Sequence, residues 1–254
     1  MEVLEPLAAS PAARQTPAQG RGDEEEYDMI PRELIDVARI PGSNDELRLF
    51  RRGADFMIVL DRNELMNSRM SGSEEVLATA TCERLHGRKA PHLLIGGYGM
   101  GFTLRAALRA LGADAKLTVA ELVPEIIDWA RGPMAELAAG CLDDPRVRVV
   151  GEDVAALIDA GQGQYDAILL DVDNGPDGLT RASNGRLYSE RGLESAWRAL
   201  RPGGILAIWS AAPDPRFARK FGSCGFAVDE VVTRARSNGK GPRHILWFGT
   251  RSAA

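Results

Sequence analysis

From His92 onward, short apolar runs alternate with amphipathic runs, and this alternation constrains the fold more than any other feature of the chain. The candidate strands are His92–Ile95, Leu117–Glu121, Val147–Val150, Ala167–Leu170, Ile205–Trp209, Ala227–Thr233 and His244–Gly249. Helical spacing occupies 102–111, 124–139, 153–160, 188–200 and 214–223. Short apolar strands separated by helices predict an α/β fold with a mostly parallel sheet covered on both faces. The segment "RARSNGKGPR" between the last two strands is loop-like, so those strands are expected as an antiparallel C-terminal hairpin at the sheet edge.

The chain ahead of this region reads differently. Residues 1–31 are rich in Ala, Pro, Gln and Gly with an acidic run at 22–28, a composition that predicts a disordered tail. Residues 32–70 carry "ELIDVARI", "ELRLFRR" and "DFMIVLD", three short runs that predict a small antiparallel β unit with turns at "PGSN" and "RGA". Residues 71–254 form the remaining domain, opening with a helix over 71–87 that starts on a serine cap.

Between the first sheet strand and its helix lies "GGYGMG", a G-x-G-x-G loop of Gly97, Gly99 and Gly101. In open α/β sheets ligands sit beyond the carboxyl ends of the strands, and glycines there let a cofactor approach the backbone. The next strand ends on Glu121, an acid placed to accept hydrogen bonds from both ribose hydroxyls of a nucleoside. Asp153, followed by Val154, stands where a carboxylate and a backbone N–H can read adenine, and it also suits a helix N-cap. Asp171 ends the fourth strand, with Asp173, Asn174 and Asp177 just beyond. Successive strand tips thus carry groups suited to a nucleoside. The spacing departs from G-x-G-x-x-G, and the terminal hairpin suits a methyltransferase sheet, so a sulfonium nucleoside fits better than a dinucleotide.

Bulk properties narrow the field. A net charge of −5 provides no general attraction for nucleic acid, and the basic stretch Arg234, Arg236, Lys240 and Arg243 reads as a solvated edge. No apolar run approaches the roughly 20 residues of a membrane span. The first residues lack an apolar signal region, and the three cysteines and three histidines are scattered. These features predict a cytoplasmic chain with no metal site and no disulfide framework.

"LLIGGYGMGFTLRAAL", "LTVAELVPEIIDWAR", "DPRVRVVGEDVAALI", "YDAILLDVDNGP" and "LYSERGLESAWRALRPGGILAIW" resemble, in order, the core of the spermidine synthase family. That family is a branch of the class I S-adenosylmethionine-dependent methyltransferase superfamily, with a Rossmann-like sheet. The resemblance covers about residues 46–212. It implies that Gly97 and Gly101 line the cofactor, Glu121 holds the ribose and Asp153 the adenine. Asp171 corresponds to the acid that deprotonates or orients the attacking amine. The co-substrate implied is decarboxylated S-adenosylmethionine, whose aminopropyl group passes to putrescine. The resemblance also allows a homodimer through the exposed edges of the N-terminal β unit.

Three departures bear on the substrate. Gly99 stands where the family has an Asp that contacts the amine end of the cofactor tail. Ser73, Glu74 and Glu75 replace a Tyr, then His or Gln, then Glu. The D-S-[ST]-D-P loop becomes Asp171-Val172-Asp173-Asn174-Gly175-Pro176.

The predicted chemistry is transfer from a sulfonium, with Asp171 taking the proton of an amine nucleophile. Asp173, Glu74 and Glu75 add negative charge suited to a cationic small-molecule acceptor, while Tyr188 is a candidate cap on the site. Tyr98 and Phe102 are candidates for shaping the acceptor pocket. Because the tail-reading Asp is lost, S-adenosylmethionine-dependent methyl transfer to an amine is narrowly favoured over aminopropyl transfer. A nucleoside sensor without turnover and a nucleic-acid-modifying enzyme are the other readings weighed.

Overall fold

The computed structural model describes residues 30–172, 176 and 182–252. The expected tail (but for its last two residues) and Asp173, Asn174 and Asp177 lie outside the described residues.

The first sheet is an antiparallel meander, β1 (Glu33–Arg39), β2 (Glu46–Arg52), β3 (Asp55–Leu60) and β4 (Asn63–Asn67), in that order. The fourth strand, "NELMN", was not expected, because its polar ends hide the alternation on which a half-buried strand is recognised. It follows a tight turn with Asp61 in the left-handed region at φ 54°. Alternation on β2 sends Leu47 and Leu49 inward, where they join the core together with Ile58 and Leu60 of β3.

Helix α1 (Gly72–Arg84) follows. The expected serine cap is not made: Ser71 precedes the helix, but its side chain makes no capping hydrogen bond. The helix is instead anchored through Gly72, whose N–H donates to the Ala235 carbonyl at 2.8 Å. A Cβ at residue 72 would lie 2.5 Å from the Arg236 carbonyl carbon, so only glycine allows this approach.

Then come β5 (His92–Gly96), α2 (Phe102–Ala110), β6 (Lys116–Ala120), α3 (Pro124–Arg131), α4 (Ala135–Ala138), β7 (Val147–Val150), α5 (Val154–Ala160) and β8 (Tyr165–Leu170). The chain closes with α6 (Glu190–Ala199), β9 (Leu200–Ser210), α7 (Pro215–Ser223), β10 (Phe226–Arg234) and β11 (Arg243–Arg251). The single helix expected over 124–139 is two, because Pro133 lacks an N–H and its ring blocks the preceding turn.

The second sheet has seven strands in the order β10-β11-β9-β8-β5-β6-β7. Pairs from β7 to β9 are parallel, whereas β11 runs antiparallel to both β9 and β10. This is the Rossmann-like class I methyltransferase sheet with its C-terminal hairpin. Strand order reverses between β5 and β8, which opens a crevice at their carboxyl ends. Residues alternate between the two faces: Leu93 and Ile95 pack with the meander residues, while Leu94 packs with Ile168, Leu206 and Phe217.

Two polar contacts hold the frame. Trp129 Nε1 of α3 donates to Asp36 Oδ2 of β1 at 2.7 Å, tying the meander to the larger sheet. At the amino ends of the strands, buried Asp166 accepts from Arg88, from Arg201 and from the His92 N–H at 2.8, 2.6 and 2.8 Å. A buried carboxylate so fully paired leaves no uncompensated charge in the core. Among the described residues no helix is long and apolar enough to cross a membrane, and no cluster of His, Cys, Asp or Glu is suited to a metal.

Candidate active site

A cavity of about 330 Å³ lies over the carboxyl ends of the central strands, with Leu47, Ile58, Leu60 and Met66 of the meander on its apolar wall. Gly97, Gly99, Glu121, Asp153 and Val154 line it, and so do Glu74, Asp171, Trp209 and His244.

Glu121 sits just after β6, 6% exposed. Its carboxylate accepts from the Tyr98 N–H and from the Val123 N–H, each at 2.9 Å, and so joins the glycine loop to the loop after β6. Burial raises its pKa, against the lowering effect of these amide donors. The Gly99 and Leu122 amides also act on this carboxylate, so it is held by the backbone of both loops. Asp153 caps α5 through Ala155 N at 2.9 Å, and its other oxygen lies 3.2 Å from Arg186 Nη2.

Gly97 has φ 79°, and a Cβ there would press on the Asp171 carbonyl at 3.2 Å. Asp171 follows β8, partly buried, with Oδ2 accepting from Thr103 Oγ1 in the first turn of α2 at 3.2 Å. Burial raises its pKa, and its charge in turn helps raise that of Glu74, which is 7% exposed and held mainly by desolvation in its protonated form. Neighbouring carboxylates out of water resist joint ionisation, and a cation between them relieves that resistance.

Several expected residues stand elsewhere. Gly101 does not line the cavity: it begins α2 at φ 75°, and a Cβ there would meet the Tyr98 hydroxyl at 2.6 Å, so its glycine serves the turn. Glu75 points away from the cavity toward Arg109, at 4.0 Å. Tyr188 is buried against the edge of Phe217, 5.9 Å between ring centroids, and lines none of the cavity. Phe102 is core, whereas Tyr98 does line the cavity, with its hydroxyl 3.5 Å from Cys141 Sγ. Asp173 lies outside the described residues.

The model of the spermine/spermidine synthase domain matches residues 73–214. The chain belongs to that family. The polyamine aminopropyltransferase of Mycobacterium tuberculosis (strain CDC 1551 / Oshkosh) is 33% identical over 176 residues, 66% of this chain and 31% of that protein. Putrescine N-methyltransferase 4 of Nicotiana tabacum is 38% identical over 123 residues, 46% of this chain and 30% of that protein. This family member therefore spans about a third of the length of those curated relatives. The crystal structure of spermidine synthase from Thermotoga maritima superposes with a TM-score of 0.67 at 18% identity, covering 87% of this chain and 73% of that one, a likeness of fold.

Reading the motifs of this family member missed Met66, Trp209 and His244 of the cavity wall. Trp209 was within reach of the same logic that found Asp171, since it stands near the carboxyl end of β9, beside β8. The same holds for His244: it stands at the start of the last strand, which runs antiparallel to β9, so its first residues lie at the carboxyl edge of the parallel strands beside Trp209.

Proposed function

We propose that this chain transfers an aminopropyl group from decarboxylated S-adenosylmethionine to a primary amine of a small polyamine-type acceptor. The observation that carries this reading is the charge of the cavity. Glu64, Glu74, Glu121, Glu152, Asp153 and Asp171 line it, and among its described lining residues there is no Lys or Arg. A sulfonium whose tail ends in an ammonium suits such a wall, as does a cationic acceptor; a tail carboxylate would find no Lys or Arg among these described lining residues. The aminopropyltransferases among the relatives support the same choice.

In this reading Glu121 and Asp153 bind the nucleoside and Gly97 admits it to the loop. The sulfonium makes the adjacent carbon electrophilic and provides the leaving group. Asp171 accepts the proton of the acceptor ammonium and holds the nitrogen in line, within ~3–3.5 Å of that carbon. The meander wall, with Leu47, Ile58 and Leu60, excludes water.

One observation favours methyl transfer from S-adenosylmethionine instead. Gly99 stands where the resemblance implies an Asp that reads the ammonium tail, and Met66 fills the adjoining space. The two reactions leave different products. Incubation with putrescine and each sulfonium in turn, followed by mass spectrometry, is expected to release 5′-methylthioadenosine from the decarboxylated form. Release of S-adenosylhomocysteine from S-adenosylmethionine would overturn the aminopropyl reading in favour of methyl transfer.

A further inference from the structure

Glu74 is bound into a chain of atoms that the nucleoside site does not use. Ser73 Oγ lies 2.6 Å from Glu74 Oε2 and 2.8 Å from His244 Nδ1. Ser73 is fully buried, and Glu74 and His244 both line the cavity, as Asp171 does. The His244 ring is fixed edge-on against Trp209, 4.6 Å between centroids. The anchoring of Gly72 on Ala235 sets α1 beside the hairpin and so brings Ser73 to the histidine.

A hydroxyl between a carboxyl group and an imidazole nitrogen admits two hydrogen-bond polarities. With Glu74 protonated, its O–H donates to Ser73 and Ser73 donates to Nδ1. With Glu74 ionised, Ser73 donates to Glu74 and accepts from Nδ1–H. The two arrangements differ by one proton moved from Glu74 to His244. We propose that Ser73 joins Glu74 to His244 as a proton relay leading away from the acceptor amine, an assignment that rests on the amine-transfer reading above. One N–H bond of the acceptor ammonium breaks, and Asp171 takes its proton first; the proton then passes to Glu74 and through Ser73 to Nδ1 of His244. Asp171, ionised again, orients the freed amine. The nitrogen lone pair forms the new N–C bond, the C–S bond breaks, and sulfur leaves with that electron pair as a neutral thioether. The positive charge of the sulfonium thereby passes to nitrogen.

Desolvation lowers the His244 pKa and, with the charges of Asp171 and Glu75, raises that of Glu74 to about 8, so without ligand the proton rests on Glu74. A cation bound beside the acid pair lowers Glu74 again and so releases its proton toward the imidazole. The charged groups nearest these two along the packed elements include Arg236, whose backbone lies against Gly72, Arg243, next to His244 in the chain, and Arg109, paired with Glu75; farther along α1, Arg84 pairs with Asp229 of β10.

The test reads the proton directly, apart from turnover. The chain has three histidines, so the imidazole proton resonances of the full-length protein are resolvable by NMR, and the His244→Gln variant assigns its own. Coupled sites titrate in two macroscopic steps when they interact by more than about one pK unit. The His244 resonance is expected to show two steps in the wild type and one in Glu74→Gln and in Ser73→Ala. Titration of His244 unchanged in both variants would overturn the relay; Glu74→Gln, which is isosteric, decides the matter should Ser73→Ala fold poorly. In turnover, Ser73→Ala is expected to lower kcat about tenfold or more and to displace the acid limb of its pH profile, with the acceptor KM within about twofold. Coupled titration without turnover would uphold the relay and overturn the functional reading alone.

Discussion

Met66 and Gly99 occupy one another's space: a Cβ on residue 99 would lie 2.6 Å from Met66 Sδ and 2.8 Å from its Cε. The fourth meander strand thereby closes over the glycine loop at the place where the family resemblance implies a tail-reading acid. A thioether on a flexible stem can move aside, whereas the backbone at φ 54° cannot. Gly99→Ala should therefore lower stability by about 1–2 kcal/mol, the cost of a left-handed non-glycine residue. Adding Met66→Ala should not restore it, as urea denaturation would record. The double variant Gly99→Asp, Met66→Ala should bind decarboxylated S-adenosylmethionine about tenfold more tightly, since a hydrogen bond to a charged group contributes about 1.5–3 kcal/mol. Calorimetry showing no gain would mean that the tail lies elsewhere.

Asp171 and Thr103 meet at 3.2 Å across the crevice between β8 and α2. Asparagine preserves the size of the side chain and its acceptor for Thr103 but cannot take a proton. Asp171→Asn is expected to reduce kcat by about 10²-fold or more, the range for lost general-base catalysis, while nucleoside affinity changes little. Equal loss in binding and turnover, measured by calorimetry beside kinetics, would make it a binding residue.

The strand-tip acids were legible because each ends a run whose period is visible in the sequence, and a parallel sheet aligns such ends along one edge. Gly101 stands outside the cavity lining for a local reason. G-x-G-x-G spacing records where the chain needs positive φ, and the turn into α2 needs it as much as any ligand would. Glu75 and Glu74 are adjacent, and only the azimuth of α1, set by Gly72 on Ala235, decides which one faces the cavity. The antiparallel sense of the last strand puts His244 at the same sheet edge, whereas its contact with Ser73 depends on that docking of α1. β4 escaped because its Met66 is the only large apolar residue among polar neighbours apart from Leu65.

Glu121 bonds two backbone amides of different loops, so its removal should be felt before any ligand arrives. Glu121→Ala leaves buried N–H groups without an acceptor, at about 1–3 kcal/mol. At roughly 2–4 °C per kcal/mol for a chain of this size, the melting temperature should fall by several degrees. Nucleoside binding should weaken as well, and 5′-methylthioadenosine should raise the melting temperature of the wild type more than that of the variant. Glu121→Gln retains one acceptor and should lie between the two.

The raised carboxylates leave a mark on stability that runs opposite to the common case. Burial and the charge of Asp171 push Glu74 up to about 8, above the ordinary glutamate value of about 4.3. In the interval between those values the native state holds a proton that the unfolded chain has released, so stability falls as pH rises. Glu74→Gln removes the ionisation and, through its amide oxygen, still accepts from Ser73. Its melting temperature should match the wild type in acid and exceed it increasingly as pH climbs through neutrality. A cationic ligand should reverse the order: spermidine should stabilise the wild type more than Glu74→Gln at neutral pH, because only the wild type gains a carboxylate partner for the added charge. Parallel melting curves for the two proteins at every pH would place Glu74 in contact with water and remove it from the acid pair.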